Sequence, residues 1–258
     1  AILPDAVPSR SRQSRALLLR SIDYRDSDRI VTLLTEDFGK ISALARGARK
    51  SQRRFGGALQ PYVLMNAHFR PGRGELAHLE RVSVDRSFHE ILRSLDAIGA
   101  GGAALAVIRE RVPDHEPEPA VFEAAVAFLA ALNDGAPPEE CLLSLQIRVL
   151  TTLGFAPTLD RCVDCGKMPG AGRAASFDAV RGGIVCRACG GGRLVLSAGA
   201  LRRWATVQST SELPEQPWPE REREQIHTAL GELDANHATV SVRERTEPAS
   251  GRWEGRIS

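Results

Sequence analysis

The 258-residue sequence has few cysteines and no long apolar run. Four of its five cysteines lie within residues 162–189. No stretch approaches the roughly 18 uninterrupted apolar residues of a membrane span, and the first residues lack the continuous apolar core of a secretory signal. The composition, 43% hydrophobic and 26% charged, is typical of a soluble globular protein. We therefore expect a cytoplasmic protein without stable disulfides, because that compartment is reducing.

Short motifs of several enzyme classes are also missing. The sequence contains no G-x-x-x-x-G-K-[ST] loop for nucleotide hydrolysis and no H-E-x-x-H pair for a metalloprotease. His78 and Glu80 have the H-x-E spacing of zinc deaminases, but the first C-x-x-C lies far along the chain and no proline precedes it. We expect a protein that is not an enzyme.

Charge is distributed unevenly along the chain, although the net charge is only +2. Residues 1–85 carry 15 Lys/Arg and 9 Asp/Glu, whereas residues 86–160 carry 5 and 11. Residues 161–258 carry 14 and 12. A basic first third beside an acidic middle indicates separate domains with different partners, and phosphate suits the basic one.

The first 87 residues have the pattern of a small β-barrel. Five β-rich runs of nine to fourteen residues alternate with glycine and proline turns. They are RALLLRSIDY, RIVTLLTED, KISALARGAR, LQPYVLMNAHFR and ELAHLERVSVDRSF. In the third run Ile41, Ala43 and Ala45 alternate with polar neighbours, which predicts a strand with one buried face.

From about residue 88 the apolar period becomes helical. The stretch AVFEAAVAFLAALNDG places an apolar stripe on one helix face and ends at a glycine; the stripe is Val121, Phe122, Ala125, Leu129 and Leu132. We predict a weak point at residues 99–102, GAGG, and a frayed or disordered polar tail from Asn236. The predicted division is a barrel over 1–87, a helical domain over 88–160 and 194–258, and a cysteine module over 161–193.

The cysteine module has the spacing C-x2-C-x20-C-x2-C, with Cys162, Cys165, Cys186 and Cys189 as candidate ligands. This spacing fits the template of a zinc site. Four thiolates would fill the coordination of zinc, so the site would be structural. A redox C-x-x-C and an iron–sulfur cluster remain alternatives. Gly166 and Gly190 each follow a pair, where positive φ would let amide groups point at sulfur. We expect the lone Cys141 to be a packed core thiol.

A basic segment follows the third strand run. Arg46, Arg49, Lys50, Arg53 and Arg54 fall within nine residues that contain no acid. Glycines at 47, 56 and 57 suggest a pliable loop that could hold a phosphate backbone, and the alternative is a mobile, solvated loop. The nearby aromatic residues are Tyr24, Phe55, Tyr62 and Phe69, and we expect several of them to be core residues.

The sequence resembles the RecO family of bacterial recombination mediators. The matching stretches begin with ALLLRSIDYRDSDRIVTLLTEDFGKISALARGARK and GGALQPYVLM, and continue with LLSLQIRVLTTLGFAPTLDRCVDCGK and GIVCRAC. They cover most of residues 16–190 in order. The resemblance implies an α+β multidomain fold, with an N-terminal OB-fold barrel and a helical C-terminal domain that contains a four-cysteine zinc module.

The resemblance also implies a function. The family binds single- and double-stranded DNA, anneals complementary strands, and works with RecR and single-stranded-DNA-binding protein to load RecA. No catalytic centre and no membrane partner are implied, and the expected location is the nucleoid. By position, the implied DNA contacts are Lys40, Arg46, Arg49, Lys50, Arg53 and Arg54, with Arg25 and Arg29 as weaker candidates. The C-terminal sequence ANHATVSVRERTEPASGRWEGRIS departs from the histidine-leucine-glycine stretch and basic tail usual in the family. A different hypothesis is a non-catalytic adaptor whose barrel binds a protein.

Overall fold

The computed structural model describes residues 11–72, 76–170, 172–210 and 212–246. The chain folds into two compact units. The first unit contains the described residues up to Ala156 together with Thr206–Trp218, and the second contains Pro157–Ala205 and the residues from Pro219 onward. The boundaries between these units fall after residues 156, 205 and 218. The division into three domains at residues 87, 160 and 193 therefore stays a prediction.

A five-stranded closed barrel forms the N-terminal part of the first unit. Its strands are β1 (Arg12–Tyr24), β2 (Asp28–Thr35), β3 (Gly39–Ala45), β4 (Val63–Arg70) and β5 (Leu76–Ser87), and a short helix, α1 (Gln52–Phe55), follows β3. The order around the barrel is β1-β2-β3-β5-β4, and β3 pairs with β5 in parallel. This is the strand arrangement of an OB-fold, so the predicted barrel is confirmed.

Both sides of the barrel wall are covered over part of its surface. β3 alternates as predicted, with Ile41, Ala43 and Ala45 buried in the barrel interior. In β1, however, Leu17 and Leu19 join a second apolar cluster that includes the helices of this unit. The leucine run of β1 therefore does not alternate with polar residues, because each of its faces packs against an apolar cluster.

Three helices follow the barrel within the first unit. They are α2 (Leu95–Arg111), α3 (Pro119–Asn133) and α4 (Pro138–Thr152), after a 3₁₀ turn over His89–Arg93. The predicted stripe of α3 is buried throughout. α2 continues through residues 99–102, so the predicted weak point does not interrupt the helix. Gly101 allows the ring of Tyr62 to approach closely: a Cβ at Gly101 would lie 2.6 Å from Tyr62 Cε1.

The second unit contains a small sheet and two helical segments. Strands β6 (Ala175–Asp178), β7 (Gly183–Val185) and β8 (Leu194–Leu196) pair in the order β7-β6-β8. They are followed by α5 (Ala198–Ser209), which belongs to this unit as far as Ala205, and by α6 (Glu220–Thr246). Phe177 packs against Trp204 with ring centroids 5.7 Å apart. The first part of the tail that was predicted to be frayed or disordered is helical, because α6 continues past Asn236 to Thr246. Residues 247–258 lie outside the described residues, as does part of the sequence PGRG at 71–74, which is typical of a turn.

No helix among the described residues is long and apolar enough to cross a membrane.

Candidate functional site

The four cysteines of the module converge in the second unit. The Sγ atoms of Cys162, Cys165, Cys186 and Cys189 all lie within 4.8 Å of one another. Cys165 Sγ and Cys186 Sγ are 3.6 Å apart. A tetrahedral ion with metal–sulfur bonds of about 2.3 Å would place its sulfurs about 3.8 Å apart. The cluster therefore fits a single four-coordinate metal ion, with no position left for a water or a substrate.

Two tight turns present these thiols. In the first, the Gly166 N–H donates to the Cys162 carbonyl over 2.9 Å, and in the second the Gly190 N–H donates to the Arg187 carbonyl over 3.1 Å. Both glycines have positive φ, as predicted. Their own amides donate to carbonyl oxygens, but an amide of the second turn does point at sulfur, as predicted. The backbone N–H of Cys186 donates to Cys162 Sγ over 3.3 Å.

The thiols differ in acidity. Backbone N–H groups, that of Cys186 first, lower the pKa of Cys162 to about 6, because hydrogen bonds to a thiolate stabilise its charged form. Shared hydrogen bonds with the thiols of Cys165 and Cys186 raise the pKa of Cys189 to about 12. By contrast, burial raises the pKa of the Cys141 thiol to about 11, as expected for a packed core thiol.

Arg181 braces the cysteine turns. Its Nη1 atom donates to Asp164 Oδ2 over 3.0 Å and to the Cys189 carbonyl over 3.0 Å. Asp178 Oδ2 lies 3.8 Å from Arg181 Nε. The guanidinium therefore links the first cysteine turn, the end of β6 and the second cysteine turn around the candidate metal centre.

The basic segment belongs to the first unit and is not the pliable loop that its glycines suggested. Phe55 is 3% exposed and lies in the cluster that fills the barrel. The Gly47 N–H donates to Asp28 Oδ1 over 2.8 Å, and the Arg49 N–H donates to the Ser27 carbonyl over 3.0 Å. The segment is thus anchored both to the barrel core and to the turn between β1 and β2.

Five of the six predicted DNA contacts are brought together on this anchored segment. Arg46, Arg49, Lys50, Arg53 and Arg54 are all exposed. Two of them also support the local structure: Arg54 Nη2 donates to the Arg46 carbonyl over 2.7 Å, and Arg49 Nε lies 3.8 Å from Asp23 Oδ2. The side chains of Arg46, Lys50 and Arg53 make no ion pair or hydrogen bond with the described residues.

Lys40 does not join this group. It lies at the opposite end of β3 from Arg46, about 20 Å away at about 3.3 Å per residue. Its side chain is 12% exposed, and Nζ donates to the Arg109 carbonyl over 2.7 Å and lies 3.4 Å from Asp114 Oδ1. The positive ammonium thus offsets the partial negative charge at the C-terminal end of α2. We therefore leave Lys40 out of the candidate interface.

The weaker candidates lie beside the basic segment. Arg25 has φ of 51° in the turn between β1 and β2, and its guanidinium carbon is 5.1 Å from the centre of the Tyr24 ring. Arg29 Nε lies 3.1 Å from Asp23 Oδ1. Of the four aromatic residues near the segment in sequence, Phe55, Tyr62 and Phe69 are buried, and Tyr24 is 38% exposed. Tyr24 is therefore the one of these four rings that a ligand can reach.

Sequence reasoning missed an apolar row on the outer face of the barrel. Ile22 on β1 pairs with Ile30 on β2, which pairs with Leu44 on β3. Directly opposed residues point to the same face of a sheet, and Ile22 is 45% exposed. The signal was present, since Leu44 interrupts the polar face of its strand.

Comparisons with known proteins agree with this architecture. A family model described as Recombination protein O N terminal matches residues 10–88, and one described as Recombination protein O C terminal matches residues 92–245. A protein of Anaeromyxobacter sp. (strain K) named DNA repair protein RecO is 43% identical over 196 residues, which are 74% of this chain and 77% of that protein. Proteins of the same name from Myxococcus xanthus and Geobacter sulfurreducens are 38% and 37% identical, over 68% and 72% of this chain and 71% and 76% of their own lengths. The chain belongs to the RecO family of DNA repair and recombination proteins.

Proposed function

We propose that this protein is a recombination mediator that binds single- and double-stranded DNA and anneals complementary strands. With RecR it would help to load RecA onto DNA coated with single-stranded-DNA-binding protein. The observation that carries the proposal is the anchored basic segment, whose five exposed cations face solvent beside an accessible tyrosine. Family membership supports the role in DNA repair. Action at the nucleoid is part of the same proposal.

The basic segment would act on the phosphate backbone. Complementary strands repel each other through their phosphates, and a dense cationic surface lowers that repulsion by displacing counterions. Because Phe55 anchors the segment to the barrel, its cations are held in place before DNA arrives, which reduces the entropic penalty of binding. Contacts to phosphates carry no sequence information, so annealing would be general.

The metal in the cysteine module would be a structural Zn²⁺ held by Cys162, Cys165, Cys186 and Cys189. The close spacing of the sulfurs supports one ion rather than an iron–sulfur cluster, whose bridging irons would separate the thiolates. Bound zinc would hold the two cysteine turns together and would supply no catalytic chemistry.

A charge-removal variant tests the interface. The first variant removes three cations whose side chains make no ion pair or hydrogen bond with the described residues, by Arg46→Gln, Lys50→Gln and Arg53→Gln. A matched control, Arg70→Gln, Arg81→Gln and Arg93→Gln, removes three exposed cations elsewhere in the same unit. The measurement is the affinity for a single-stranded oligonucleotide across a salt series. We expect the first variant to reduce the slope of log K against log salt by about 2, since each lost contact on single strands accounts for about 0.7.

The annealing of two complementary oligonucleotides, bare or coated with single-stranded-DNA-binding protein, tests the mediator role. Annealing in both conditions supports it, and annealing of bare strands alone would contradict the partner contact. Equal DNA affinity of the two triple variants would contradict the assignment of the basic segment.

A protein-binding adaptor is the second candidate. The row of Ile22, Ile30 and Leu44 favours it, because partly exposed apolar side chains that adjoin across three strands suit a protein surface. An adaptor without a DNA role would bind no oligonucleotide at any salt concentration, even when it is folded and loaded with zinc.

A further inference from the structure

A groove beside the cysteine cluster has no role in the function proposed above. It lies wholly within the second unit and has a volume of about 460 Å³. One side of it is formed by residues 167–170 and 173–176, and the other by β7 and the second cysteine turn. Three basic side chains line it, those of Lys167, Arg173 and Arg187, and none of the described residues that line it is acidic.

These three cations are not used by the fold. Lys167, Arg173 and Arg187 are exposed, and their side chains make no ion pair or hydrogen bond with the residues that the structure describes. Arg181, in contrast, is held by Asp164 and Asp178 and lies outside the groove. The structural bracing of the module is therefore already provided by Arg181, and the groove cations are available to a ligand.

The charge of a bound metal does not cancel this surface. Residues 161–193 carry six Lys/Arg and two Asp/Glu. One divalent ion with four thiolates has a charge of −2, so the module stays positive when it is loaded. A cationic surface held on a metal-braced frame would suit an anionic ligand that lies across it.

We propose that this groove is a second binding site for the phosphodiester backbone of single-stranded nucleic acid, separate from the basic segment of the barrel. The inference rests on the proposed DNA-binding function and deepens it. An annealing protein has to hold two strands, and each unit of this chain would then offer one cationic surface. Neither site depends on where the units lie relative to each other.

The groove suits a phosphate backbone better than an acidic peptide. A peptide that binds specifically usually places apolar anchors in pockets. Ile184 and Val185 line the groove but are buried, and Met168, at 69% exposure, is the large apolar side chain left at its surface. A phosphate backbone needs only the charges, and a single soft side chain can contact a base without selecting it.

The lysines of the native protein allow a direct test. The chain has three, and they fall in three different places: Lys50 in the basic segment, Lys167 in the groove and Lys40 in its ion pair with Asp114. The zinc-loaded full chain is acetylated briefly with an amine-reactive acetyl ester, with and without saturating oligothymidylate, and each lysine is quantified by mass spectrometry. We expect oligothymidylate to slow acetylation of Lys50 and Lys167 several-fold and to leave Lys40 unchanged.

The outcomes separate the two proposals. Protection of Lys50 without Lys167 would overturn the groove site and leave the proposed function standing. Protection of neither would overturn both. If hexaglutamate protects Lys167 as well as oligothymidylate does at equal ionic strength, the groove is a site for acidic peptides, and the nucleic-acid assignment is overturned.

A pair of variants adds an affinity measurement. The groove variant removes the three groove cations by Lys167→Gln, Arg173→Gln and Arg187→Gln. The control variant removes three exposed cations outside the groove by Arg161→Gln, Arg193→Gln and Arg202→Gln. We expect the groove variant to lose about tenfold or more in affinity for oligothymidylate at low salt, and the control to lose much less. Equal losses would overturn the proposal. Zinc content is measured for both, and if the groove variant loses zinc, the acetylation of the native protein decides.

Discussion

The basic segment of the barrel and the cysteine module both present cations on a fixed surface, but different interactions fix them. The barrel segment is held by an aromatic side chain in an apolar core, where Phe55 is 3% exposed. The cysteine turns have little core of their own: Cys162 is buried, whereas Cys165 is exposed. The segment between two strands of a barrel can use the barrel's core, whereas a short module needs a metal or disulfides to compensate for the apolar area it lacks.

The two surfaces should also be lost in different ways. A surface anchored by apolar packing should weaken gradually with substitution and be indifferent to chelators. A surface anchored by a metal should be lost as a unit, because metal binding and folding are coupled. The largest expected effects therefore concern the metal.

Removing the proposed zinc should unfold the cysteine turns and leave the barrel folded. Structural zinc contributes an apparent free energy of about 10–16 kcal/mol in small zinc modules. We expect Cys165→Ser with Cys189→Ser, or treatment with a chelator, to abolish amide protection in residues 158–190. Hydrogen exchange read by mass spectrometry would check this against strands β1 to β3.

Cys141→Ser is the matched control, since it removes a thiol outside the cluster. Unchanged protection of residues 158–190 without metal would contradict the distinction between the two anchors, because it would mean that the module folds on its own core around Phe177 and Trp204.

Truncating the apolar anchor should have the next largest effect. Phe55→Ala removes a buried aromatic side chain, for which a loss of about 3–5 kcal/mol is usual. Urea unfolding of the first unit would measure it. The control is Leu95→Ala, because Leu95 is 86% exposed, and its effect should stay within about 0.5 kcal/mol.

Phe55→Ala should also weaken DNA binding without removing a charge, since the cations would lose their fixed positions. Full DNA affinity in a destabilised Phe55→Ala protein would contradict the view that anchoring matters to the interface.

The two anchors, the cysteine cluster and Phe55, could not be predicted equally well from the sequence. The cysteine spacing predicted which four thiols meet, because chelation by two C-x-x-C turns is a local pattern. The anchoring of the basic segment was missed, since whether a phenylalanine is core or solvated depends on the barrel that closes around it. Gly47, Gly56 and Gly57 suggested mobility, whereas Gly47 is held by a hydrogen bond to Asp28.

Tertiary context also decided which cations are available. Lys40 shares a motif with Arg46 in sequence, but strand geometry separates them and the end of α2 takes the Lys40 ammonium. The groove cations were missed for the opposite reason. They are spread over 21 residues, from Lys167 to Arg187, and only the β6–β7 hairpin brings them together. The absence of acids between Asp164 and Asp178 was the available signal.

Smaller effects are expected from alanine substitutions in the turns that contain Gly47 and Gly166. Gly47 and Gly166 have φ of +67° and +72°, and alanine in this region costs about 1–2 kcal/mol. We expect Gly47→Ala to lower the stability of the first unit by that amount. Gly166→Ala should instead weaken zinc affinity about tenfold, since 1.4 kcal/mol corresponds to a factor of ten.

Competition with a metal-sensitive dye would measure the zinc affinity, and urea unfolding the stability. Gly99→Ala is the control, and it should raise the stability of the first unit instead of lowering it. Gly99 lies in α2 with open space at its Cβ position, and alanine is more favourable than glycine in a helix interior by about 1 kcal/mol. If Gly166→Ala and the parent protein bind zinc with equal affinity, the backbone conformation of that turn does not contribute to metal binding.

The smallest effect tests whether ion pairs add to the apolar anchoring of the barrel. Arg15 donates to both carboxylate oxygens of Glu36 over 2.7 Å, and this contact lowers the pKa of Glu36 below its ordinary 4.5. A depressed carboxyl pKa stabilises the folded state fully above about 4.5, and that contribution is lost as the pH falls through the lower, folded-state pKa. Because both side chains are about one-third exposed, solvent screening limits the contribution to about 1 kcal/mol or less. Glu36→Gln should therefore be slightly less stable than the parent in urea at pH 7, and the difference should shrink as the pH falls below about 4.5. A difference of the same size at pH 3 as at pH 7 would assign the effect to packing rather than to charge.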